Sequence, residues 1–506
     1  MGRIVLIIFM LSGFASAISS DSLRLQAVAE GYWRADVDSS EPALLAKGPL
    51  FKVRRIEIRD SLGRPLDGFS INGFVGAAAS RKNIEALQSE LRKRLLNTGF
   101  PFAVIEYSAA ADSSGQNFVD LDILIQRGDA YKIGGVQLME TRTNADVALR
   151  MALWQIGDAY NEEKLDLGLK RLRRTGYFES AELAGLFRDS TRNLIYPALR
   201  LPDLQGNRLS GLLGYDSKAG GEGLTGYIDM HLINVFGTAR DFDFNFDNRA
   251  GNEREVKAVY VEPWLLNLPL GVRLEAGFLQ LDTLFWEWNR SVILFEDLNF
   301  TSRLEVELGD QENRDLILDF HTHAIRSGLK LIFDNRDRVP LTVSGYRAEV
   351  GVAGLHRDTS GGSYYLAQGS GAVESWLPFN SRLGVRLGLR AANNYPLNHI
   401  NHGELFFVGG ANSLRGYQER EFSTNAYVLS QVELQTWLGR RGRVFAFTDP
   451  GLVNRLAGTY SFRPVLGYGV GVELSKGDWS VSLSYALSLE RDYSNGLLHI
   501  GLDNRF

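Results

Sequence analysis

Residues 479–488 read Trp-Ser-Val-Ser-Leu-Ser-Tyr-Ala-Leu-Ser, and this stretch decides the fold class. Large apolar residues alternate in it with small, mostly polar ones. A similar alternation occurs in residues 241–247 and 383–390. A β-strand with one apolar and one polar face has this period of two. From residue 207 to the end of the chain such segments follow one another with almost no helical period between them, which predicts an antiparallel β-structure.

Alternation alone does not distinguish a soluble β-sandwich from a membrane barrel. The segments are about 9–11 residues long, enough to cross a bilayer when tilted. Aromatic residues gather near segment ends, as in the interfacial girdles of outer-membrane barrels. These aromatics are Tyr364, Tyr365, Trp376, Phe379, Trp437 and Phe506. At roughly 19 residues per strand and connection, residues 207–506 predict a transmembrane antiparallel β-barrel of about 16 strands; Leu316–His323 is left open as strand or loop.

Composition excludes several function classes. The chain has 506 residues, a formal net charge of −5 and no cysteine, so thiolate metal sites and cysteine nucleophiles are excluded and a nucleic-acid partner has no support. The motifs Gly-x-Ser-x-Gly, His-Glu-x-x-His and the phosphate-binding loop do not occur. His321 and His323 would share a strand face, but no third ligand is near them in sequence. We therefore expect no enzyme activity, no cofactor and no metal site.

The N-terminus has the three parts of a secretory signal. Arg3 precedes an apolar stretch, residues 4–14, and Ala15-Ser-Ala17 is a small-x-small cleavage site. We predict a signal peptide over residues 1–17. The alternative is an N-terminal membrane anchor.

Residues 20–203 mix helical and strand-like segments and contain two repeated landmarks. The pattern Gly-x-x-aromatic-Lys-aliphatic-x-x-aliphatic-x-aliphatic occurs at residues 48–58 and again at 128–138. A Gly-aromatic pair occurs at Gly31, Gly99 and Gly176, each after a helical or leucine-bearing stretch. Such periodicity indicates a repeated small module, with the predicted order strand, helix, helix, strand, strand. We expect a partial module at 18–50, complete ones at 51–128 and 129–203, and the barrel at 207–506.

The most specific segment is Val408-Gly-Gly-Ala-Asn-Ser-Leu-Arg-Gly-Tyr417. It resembles the Gly-Gly-x-x-Ser-aliphatic-Arg-Gly-aromatic signature of the BamA/TamA superfamily, also called the bacterial surface antigen family. The resemblance implies a long extracellular loop that folds back into the barrel lumen; the alternative is an ordinary mobile surface loop. The motif residues are Gly409, Gly410, Ser413, Leu414, Arg415, Gly416 and Tyr417.

The same resemblance implies that Arg415 meets acidic residues on the inner wall. The candidates are Glu433 and Asp449, the latter in a Phe447-Thr-Asp449 string similar to the aromatic-x-Asp motif of the family. Pro450 departs from the family pattern. A guanidinium in a partly desolvated lumen needs carboxylate partners in any case, because Arg offers a rigid two-pronged donor. We expect Arg415→Ala to impair the protein and Arg386→Ala to do little.

The chain ends in an alternating strand whose one face carries Leu498, Ile500, Leu502, Asn504 and Phe506. This end resembles the β-signal of outer-membrane barrels, with Gly501, Leu502 and Phe506 as its matching residues and Asn504 as a departure. The alternative is an ordinary closing strand.

The repeated modules look like POTRA domains, in a short TamA-like arrangement. The resemblance implies an outer-membrane assembly or translocation factor of a Gram-negative-type bacterium, with its POTRA domains in the periplasm. Clients would be captured by strand addition at POTRA edges and at a seam between the first barrel strand, about Leu209–Asp216, and the last, about Leu497–Phe506.

The partners implied are unfolded outer-membrane or secreted client proteins and membrane lipids. An inner-membrane-anchored periplasmic partner stays open. The main alternative function is that of a two-partner-secretion-type transporter for one dedicated secreted protein. A passive pore is a weaker alternative, because a simple porin needs no periplasmic arm.

Overall fold

The structure is a computed structural model. It describes residues 20–37, 45–66, 68–112, 116–216, 223–249, 253–281, 284–316, 320–339, 341–359, 362–396, 400, 404–439, 442–455, 459–476, 479–490 and 496–504. The predicted signal peptide and Phe506 lie outside these residues. The chain divides into two compact units, one of residues up to 135 with 154–166 and 186–197, the other of 136–153, 167–185 and 198–506. None of the helices in the described ranges is long and apolar enough to span a membrane.

The first unit contains a complete α+β module. A preceding segment forms α1 (Ser20–Glu30), β1 (Asp36–Val37) and β2 (Leu45–Ala46), and the module itself consists of β3 (Lys52–Asp60), α2 (Arg81–Asn97), β4 (Val104–Ala111) and β5 (Phe118–Gln126). The sheet order is β3-β5-β4, with β3 parallel and β4 antiparallel to the central β5. Leu87, Leu91 and Leu95 form the buried stripe of α2 and pack against the sheet, as the helical spacing predicts.

One expectation for this module is wrong. The predicted order has two helices, but the segment before α2 forms turns over residues 72–77. Gly68, Gly73 and Gly76 interrupt it, and glycine is costly in a helix interior. Phe69 and Phe74 nevertheless pack against the module core, so the turns take the place of the missing helix.

The second module has the predicted order of elements. They are β6 (Lys132–Ile133), β7 (Gln137–Met139), α3 (Ala145–Met151), α4 (Glu162–Arg174), β8 (Glu182–Asp189) and β9 (Leu194–Arg200). In the first unit β6 pairs in parallel with the start of β9, and in the second unit β7 pairs in parallel with its end. The side chain of Asn161 accepts a hydrogen bond from the Lys164 amide at 2.8 Å and so caps α4.

The repeated landmarks meet at the joints between modules. The Phe51 amide donates to the Gly31 carbonyl at 3.0 Å, and the Tyr131 amide donates to the Gly99 carbonyl at 2.8 Å. Both glycines have positive φ, 106° and 101°, which residues with a Cβ avoid. The two sequence patterns therefore encode the two sides of one recurring backbone contact.

The second unit contains a 16-stranded sheet in which all neighbours are antiparallel, so the predicted barrel and its strand number are confirmed. Its strands are β10 (Arg208–Asp216), β11 (Gly223–Val235), β12 (Arg240–Arg249), β13 (Glu253–Glu262), β14 (Gly271–Leu281), β15 (Phe285–Asp297), β16 (Ser302–Asp315), β17 (Phe320–Asp334), β18 (Gly345–Thr359), β19 (Gly362–Pro378), β20 (Leu383–Tyr395), β23 (Ala426–Trp437), β24 (Gly442–Asn454), β25 (Phe462–Lys476), β26 (Trp479–Ser488) and β27 (Leu497–Asn504). A short hairpin of β21 (Phe406–Val408) and β22 (Phe422–Thr424) lies between β20 and β23. In the segment that was left open, β16 ends at Asp315 and β17 begins at Phe320.

The two faces of this sheet differ in polarity. On β16, Val306 and Leu308 are exposed on the outer face, whereas Glu305 lies on the opposite, inner face and is buried. Glu305 accepts hydrogen bonds from Arg273 of β14 at 2.9 and 3.1 Å. A polar, ion-paired interior with an apolar exterior is the arrangement of a membrane barrel and the reverse of a soluble sandwich.

Candidate functional site

The long connection between β20 and β23 folds into the barrel and contains the sequence motif. We call residues 404–424 the tethered loop. Its turn is closed by Ser413, whose hydroxyl donates to the Gly409 carbonyl at 2.8 Å and accepts from the Gly409 amide at 2.9 Å. Gly409 and Gly410 have φ of 125° and 94°, and a Cβ on Gly409 would lie 2.3 Å from the Gln418 carbonyl oxygen. These two positions therefore require glycine.

Arg415 is bound to both acidic candidates on the barrel wall. Its Nε and Nη2 donate to the two carboxylate oxygens of Asp449 at 2.7 and 2.6 Å, and its Nη1 donates to Glu433 at 2.7 Å. The Arg415 amide also donates to Asp449 at 3.2 Å. The three residues are 6%, 0% and 1% exposed for Arg415, Asp449 and Glu433. Two-pronged, charge-assisted contacts of this kind are the strong class of hydrogen bond, and their geometry is specific.

The aromatic-x-Asp string supplies two different contacts to the same guanidinium. Phe447 and Asp449 are two residues apart on β24 and therefore face the same side. The guanidinium carbon lies 3.7 Å from the centre of the Phe447 ring, while the Asp449 carboxylate binds its edge. Pro450 lies within β24, and the ladder to β23 is interrupted between Leu429↔Gly451 and Val432↔Thr448. Proline has no N–H for the ladder, so the interruption falls beside the carboxylate that binds the loop.

Glu433 is shared by several donors, and this corrects the expectation for Arg386. Arg386 donates to Glu433 at 3.1 Å and to Glu374 at 3.0 Å, so it belongs to the same network as Arg415. Glu433 also accepts a hydrogen bond from Arg443 at 3.2 Å and one from the Gln435 side-chain amide at 2.7 Å. The reason is strand register: Arg386 and Glu433 are direct cross-strand partners. Arg386 is therefore not a neutral control for Arg415.

The remaining motif residues pack the loop against the wall. Leu414 and Tyr417 are fully buried in a cluster with residues of β23, β24 and β25. The Tyr417 hydroxyl accepts from the Leu466 amide at 3.3 Å. Gly416, with φ of 90°, lies so close to β26 that a Cβ would be 2.4 Å from the Leu487 carbonyl oxygen. All seven motif residues thus lie in one compact segment against the inner wall.

Three glycines of β25 form a trough that the sequence analysis missed. A Cβ on Gly467 would lie 1.8 Å from the Arg415 carbonyl oxygen, and one on Gly469 would lie 2.9 Å from the Phe447 ring. A Cβ on Gly471 would lie 2.4 Å from the Phe445 ring. The sequence signal is Gly-x-Gly-x-Gly within a strand, which often marks close backbone approach.

Two further ion pairs hold the tethered loop, and neither has a sequence signal. Arg357 of β18 donates to both carboxylate oxygens of Glu404 at 2.7 Å, and both side chains are buried. Arg420 near the other end of the loop donates to Glu255 of β13 at 2.7 Å. The loop is therefore attached to three separated parts of the barrel wall.

The ends of the large sheet form the predicted seam. The strand order begins at β10 and ends at β27. Cα atoms of the two strands come within 8 Å, but residues 208–216 and 497–504 share no ladder. Of the β-signal residues, Gly501 and Leu502 pair with Ser482 and Val481 of β26, and Phe506 lies outside the described residues.

Among the described residues, the sheet of the first complete module has one edge without a neighbouring strand or chain segment. The outer edge of β3 is covered by its own chain, since the Gly76 amide donates to Val53 at 2.7 Å and the Ala79 amide to Phe51 at 2.8 Å. On the other side β4 is the last strand of the sheet, and its Val104 and Tyr107 side chains are exposed. An uncovered edge with apolar side chains is a template for an added strand.

Comparisons with known proteins place this architecture. Residues 298–506 match the Omp85 superfamily domain. The chain is similar in structure to CdiB from Escherichia coli, with 14% identity, a TM-score of 0.54 and coverage of 96% of this chain and 97% of that one. CdiB from Acinetobacter baumannii has 13% identity and a TM-score of 0.52, and the match covers 98% of this chain and 100% of that one. BamA from Haemophilus ducreyi lacking POTRA domains 1–3 has 14% identity and a TM-score of 0.48, and the match covers 90% of this chain and 100% of that one. At these identities the two CdiB likenesses show a shared fold.

Proposed function

The chain belongs to the Omp85 superfamily, and from this premise we propose that it is an assembly or translocation factor for unfolded client proteins. Omp85 barrels lie in the outer membrane and have POTRA domains in the periplasm. This protein has the same location and orientation. The proposal includes the predicted division into a signal peptide (1–17), a partial POTRA segment (18–50), two POTRA domains (51–128 and 129–203) and the barrel (207–506).

The seam, where the described residues of β10 and β27 share no ladder, carries this proposal. β10 has 9 residues and the described part of β27 has 8, whereas β19 on the far side of the sheet has 17. Gly211 and Gly214 further weaken β10, because glycine offers no side chain for cross-strand packing. Opening the barrel at this junction costs fewer hydrogen bonds than at any fully laddered junction. The freed edges of β10 and β27 can then pair with a client strand through main-chain hydrogen bonds.

The free edge of β4 supplies an earlier capture site. Client strands reaching the POTRA domains are unfolded, and main-chain pairing makes little demand on their sequence. Exposed Val104 and Tyr107 add apolar contacts on the two faces of the added strand. The membrane lipids around the barrel and the client are thus the partners of this mechanism.

A two-partner-secretion-type transporter is the second candidate. CdiB is a transporter of this class, and the match extends over nearly all of both chains, so the domain complement suits either function. In that class the chain usually begins with a helix that plugs the barrel. Here α1, the first helix of the described residues, packs against α2 in the first unit, with Ala27 buried, which favours the assembly factor.

Depletion of the protein followed by quantitative proteomics of the outer membrane separates the two functions. We expect several unrelated barrel proteins to decrease together. Loss of one secreted protein with unchanged barrels would instead establish a dedicated transporter.

A reversible lock tests the seam. Because the chain has no cysteine, one cysteine in 208–216 and one in 497–504 can be joined without competing thiols. The oxidised pair should stop client handling, and a reductant should restore it. The single-cysteine variants are the controls, and full activity of the oxidised protein would rule out opening at the seam.

Two variants, each with a single proline at one of two consecutive positions, test the β4 edge. In an antiparallel pair, successive residues point their N–H groups alternately toward and away from the partner strand. Of Tyr107→Pro and Ser108→Pro, one removes an N–H bonded to β5 and destabilises the module, and the other removes only an outward N–H. The second variant should stay folded and lose client cross-linking at β4. Normal cross-linking in that folded variant would exclude this edge as the capture site.

A further inference from the structure

Two neighbouring periplasmic turns of the barrel expose large apolar side chains. Phe236, between β11 and β12, is 92% exposed, and Leu266, between β13 and β14, is 84% exposed. Leu265 and Leu268 beside it are also exposed. The second turn reads Trp264-Leu-Leu-Asn-Leu-Pro-Leu270. Because β12 pairs with β13, the two turns are adjacent. Together Phe236 and Leu265–Leu268 form what we call the apolar tips.

The tips are held out by a strained but well-supported backbone. Phe236 and Leu266 have φ of 54° and 52°, a conformation that large residues rarely adopt. Such strain persists only where surrounding contacts enforce it. Here the Asn234 side chain donates to Thr143 at 2.7 Å, and Arg150 donates to the Asn267 side chain at 3.0 Å. The exposed position of these apolar side chains is therefore fixed by the contacts of the two turns.

The tips continue the outer, apolar face of the barrel. Tyr260 of β13 and Leu274 of β14 are cross-strand partners on that face, and Leu274 is exposed. Trp264 and Leu270 lie just beyond the ends of these two strands, four residues from Tyr260 and Leu274 respectively. Tyr260 also bonds Glu262 at 3.1 Å, and Glu262 pairs with Arg240 at 2.6 Å. This polar group lies between the apolar outer band and the tips.

Basic side chains surround the tips. The Arg150 guanidinium lies 5.7 Å from the centre of the Trp264 ring. Arg142 is exposed, and its carbonyl is so close to the first turn that a Cβ on Gly237 would be 2.2 Å from it. Arg240 completes the group. Aromatic and basic residues beside protruding apolar ones are typical of an interfacial membrane anchor that attracts anionic headgroups.

We propose that the apolar tips insert into the periplasmic leaflet of the outer membrane, with Arg142, Arg150 and Arg240 beside anionic phospholipid headgroups. The anchor holds the β11–β14 wall, next to the first seam strand, at a fixed depth in that leaflet. Through Thr143 and Arg150 it also holds the segment around α3 at the membrane surface. This inference depends on the position of the barrel in the membrane and not on the handling of clients.

Site-directed labelling tests the anchor, since the chain has no native cysteine. Phe236→Cys and Leu266→Cys carry a nitroxide in proteoliposomes of phosphatidylethanolamine and phosphatidylglycerol. Leu308→Cys, on the lipid-facing band, and Leu62→Cys, at an exposed turn of the first unit, are the references. Accessibility to oxygen relative to a water-soluble nickel chelate reports depth in the bilayer. Heat-modifiable mobility on gels confirms that each variant is folded.

We expect the oxygen-to-nickel ratio at positions 236 and 266 to rise above that at position 62 and approach that at 308. Replacing phosphatidylglycerol by phosphatidylcholine should lower the ratio at both positions and leave position 308 unchanged. A ratio equal to that at position 62 would overturn the proposal. So would labels that become immobile only when periplasmic extract is added, because a protein would then be the occupant.

Discussion

The wall beneath the tethered loop and the seam belong to one sheet, but they are held together differently. β24 has ladders on both sides, to β23 and to β25, and it carries the buried carboxylate that binds Arg415. At the seam, β10 and β27 each have a described ladder on one side alone. The loop wall is fixed by buried charge and by backbone pairing on both sides, whereas the described residues of the two seam strands share no ladder with each other.

This difference suggests how a barrel can open without unfolding. The ion pairs that attach the loop lie on β13, β18, β23 and β24, away from the seam strands. A separation of β10 from β27 therefore leaves these ion pairs intact. The rigid wall and its loop can act as the frame against which the seam moves.

The largest loss of stability is expected from a substitution at the wall beneath the tethered loop. Arg415→Ala leaves the buried Asp449 carboxylate without the guanidinium that binds it and removes one of the three arginines that bind Glu433. Removal of one partner of a buried pair costs about 3–5 kcal/mol. We expect this loss in the free energy of unfolding, measured by urea titration of the folded protein in detergent. The control is Arg382→Ala, at an exposed turn, which should change stability by less than about 0.5 kcal/mol. Equal losses for the two variants would remove the special role of Arg415.

Arg386→Ala should have the second-largest effect. It removes hydrogen bonds to two carboxylates, and bonds to charged groups contribute about 1.5–3 kcal/mol. The loss should be smaller than for Arg415→Ala because Glu433 keeps Arg415 and Arg443. The same urea titration measures it. A stability equal to that of the unaltered protein would show that Glu433 does not need its cross-strand partner.

Gly467→Ala tests the trough. The added methyl would overlap the Arg415 carbonyl oxygen, 1.8 Å away, and overpacking of this kind costs about 1–3 kcal/mol. Gly369→Ala on β19 is the matched control, since nothing lies within 4 Å of its added Cβ. Unfolding of the two variants in urea should differ by that amount. Equal stability would mean that the loop does not lie against β25.

The smallest effect is expected at the seam strand. Arg208 of β10 pairs with Asp229 at 2.9 Å, and both side chains are partly exposed. Such pairs contribute about 0–1 kcal/mol, so Arg208→Ala should barely change the urea midpoint. A loss as large as that of Arg415→Ala would show that the seam strand is held as firmly as the loop wall.

The barrel could be predicted from the sequence because its two faces meet different solvents. Val306 and Leu308 face lipid and Glu305 faces a polar lumen, so the alternation is strict and survives without any knowledge of neighbours. The helix of the first α+β module was predictable for a similar reason, since Leu87, Leu91 and Leu95 have helical spacing. The turns near Gly73 that replace the first helix follow from the local glycine content, which the repeated module order does not reveal.

The loop contacts beyond the motif could not be predicted, because they depend on strand register and on distant pairing. Arg386 and Glu433 are partners only if β20 and β23 are neighbours in one register. Arg357 and Glu404 are 47 residues apart with no pattern that joins them. The Gly467 trough had a sequence signal, but its meaning depends on which wall the loop approaches.

Hydrogen–deuterium exchange of the full chain in lipid nanodiscs compares the two regions most directly. Amides that open only with global unfolding exchange slowest, and weakly paired strands exchange far sooner. We predict the slowest exchange in residues 426–437 and 442–454 and the fastest barrel-strand exchange in residues 208–216 and 497–504. Equal protection of the two regions would contradict an account in which the barrel is fixed at the loop wall and opens at the seam.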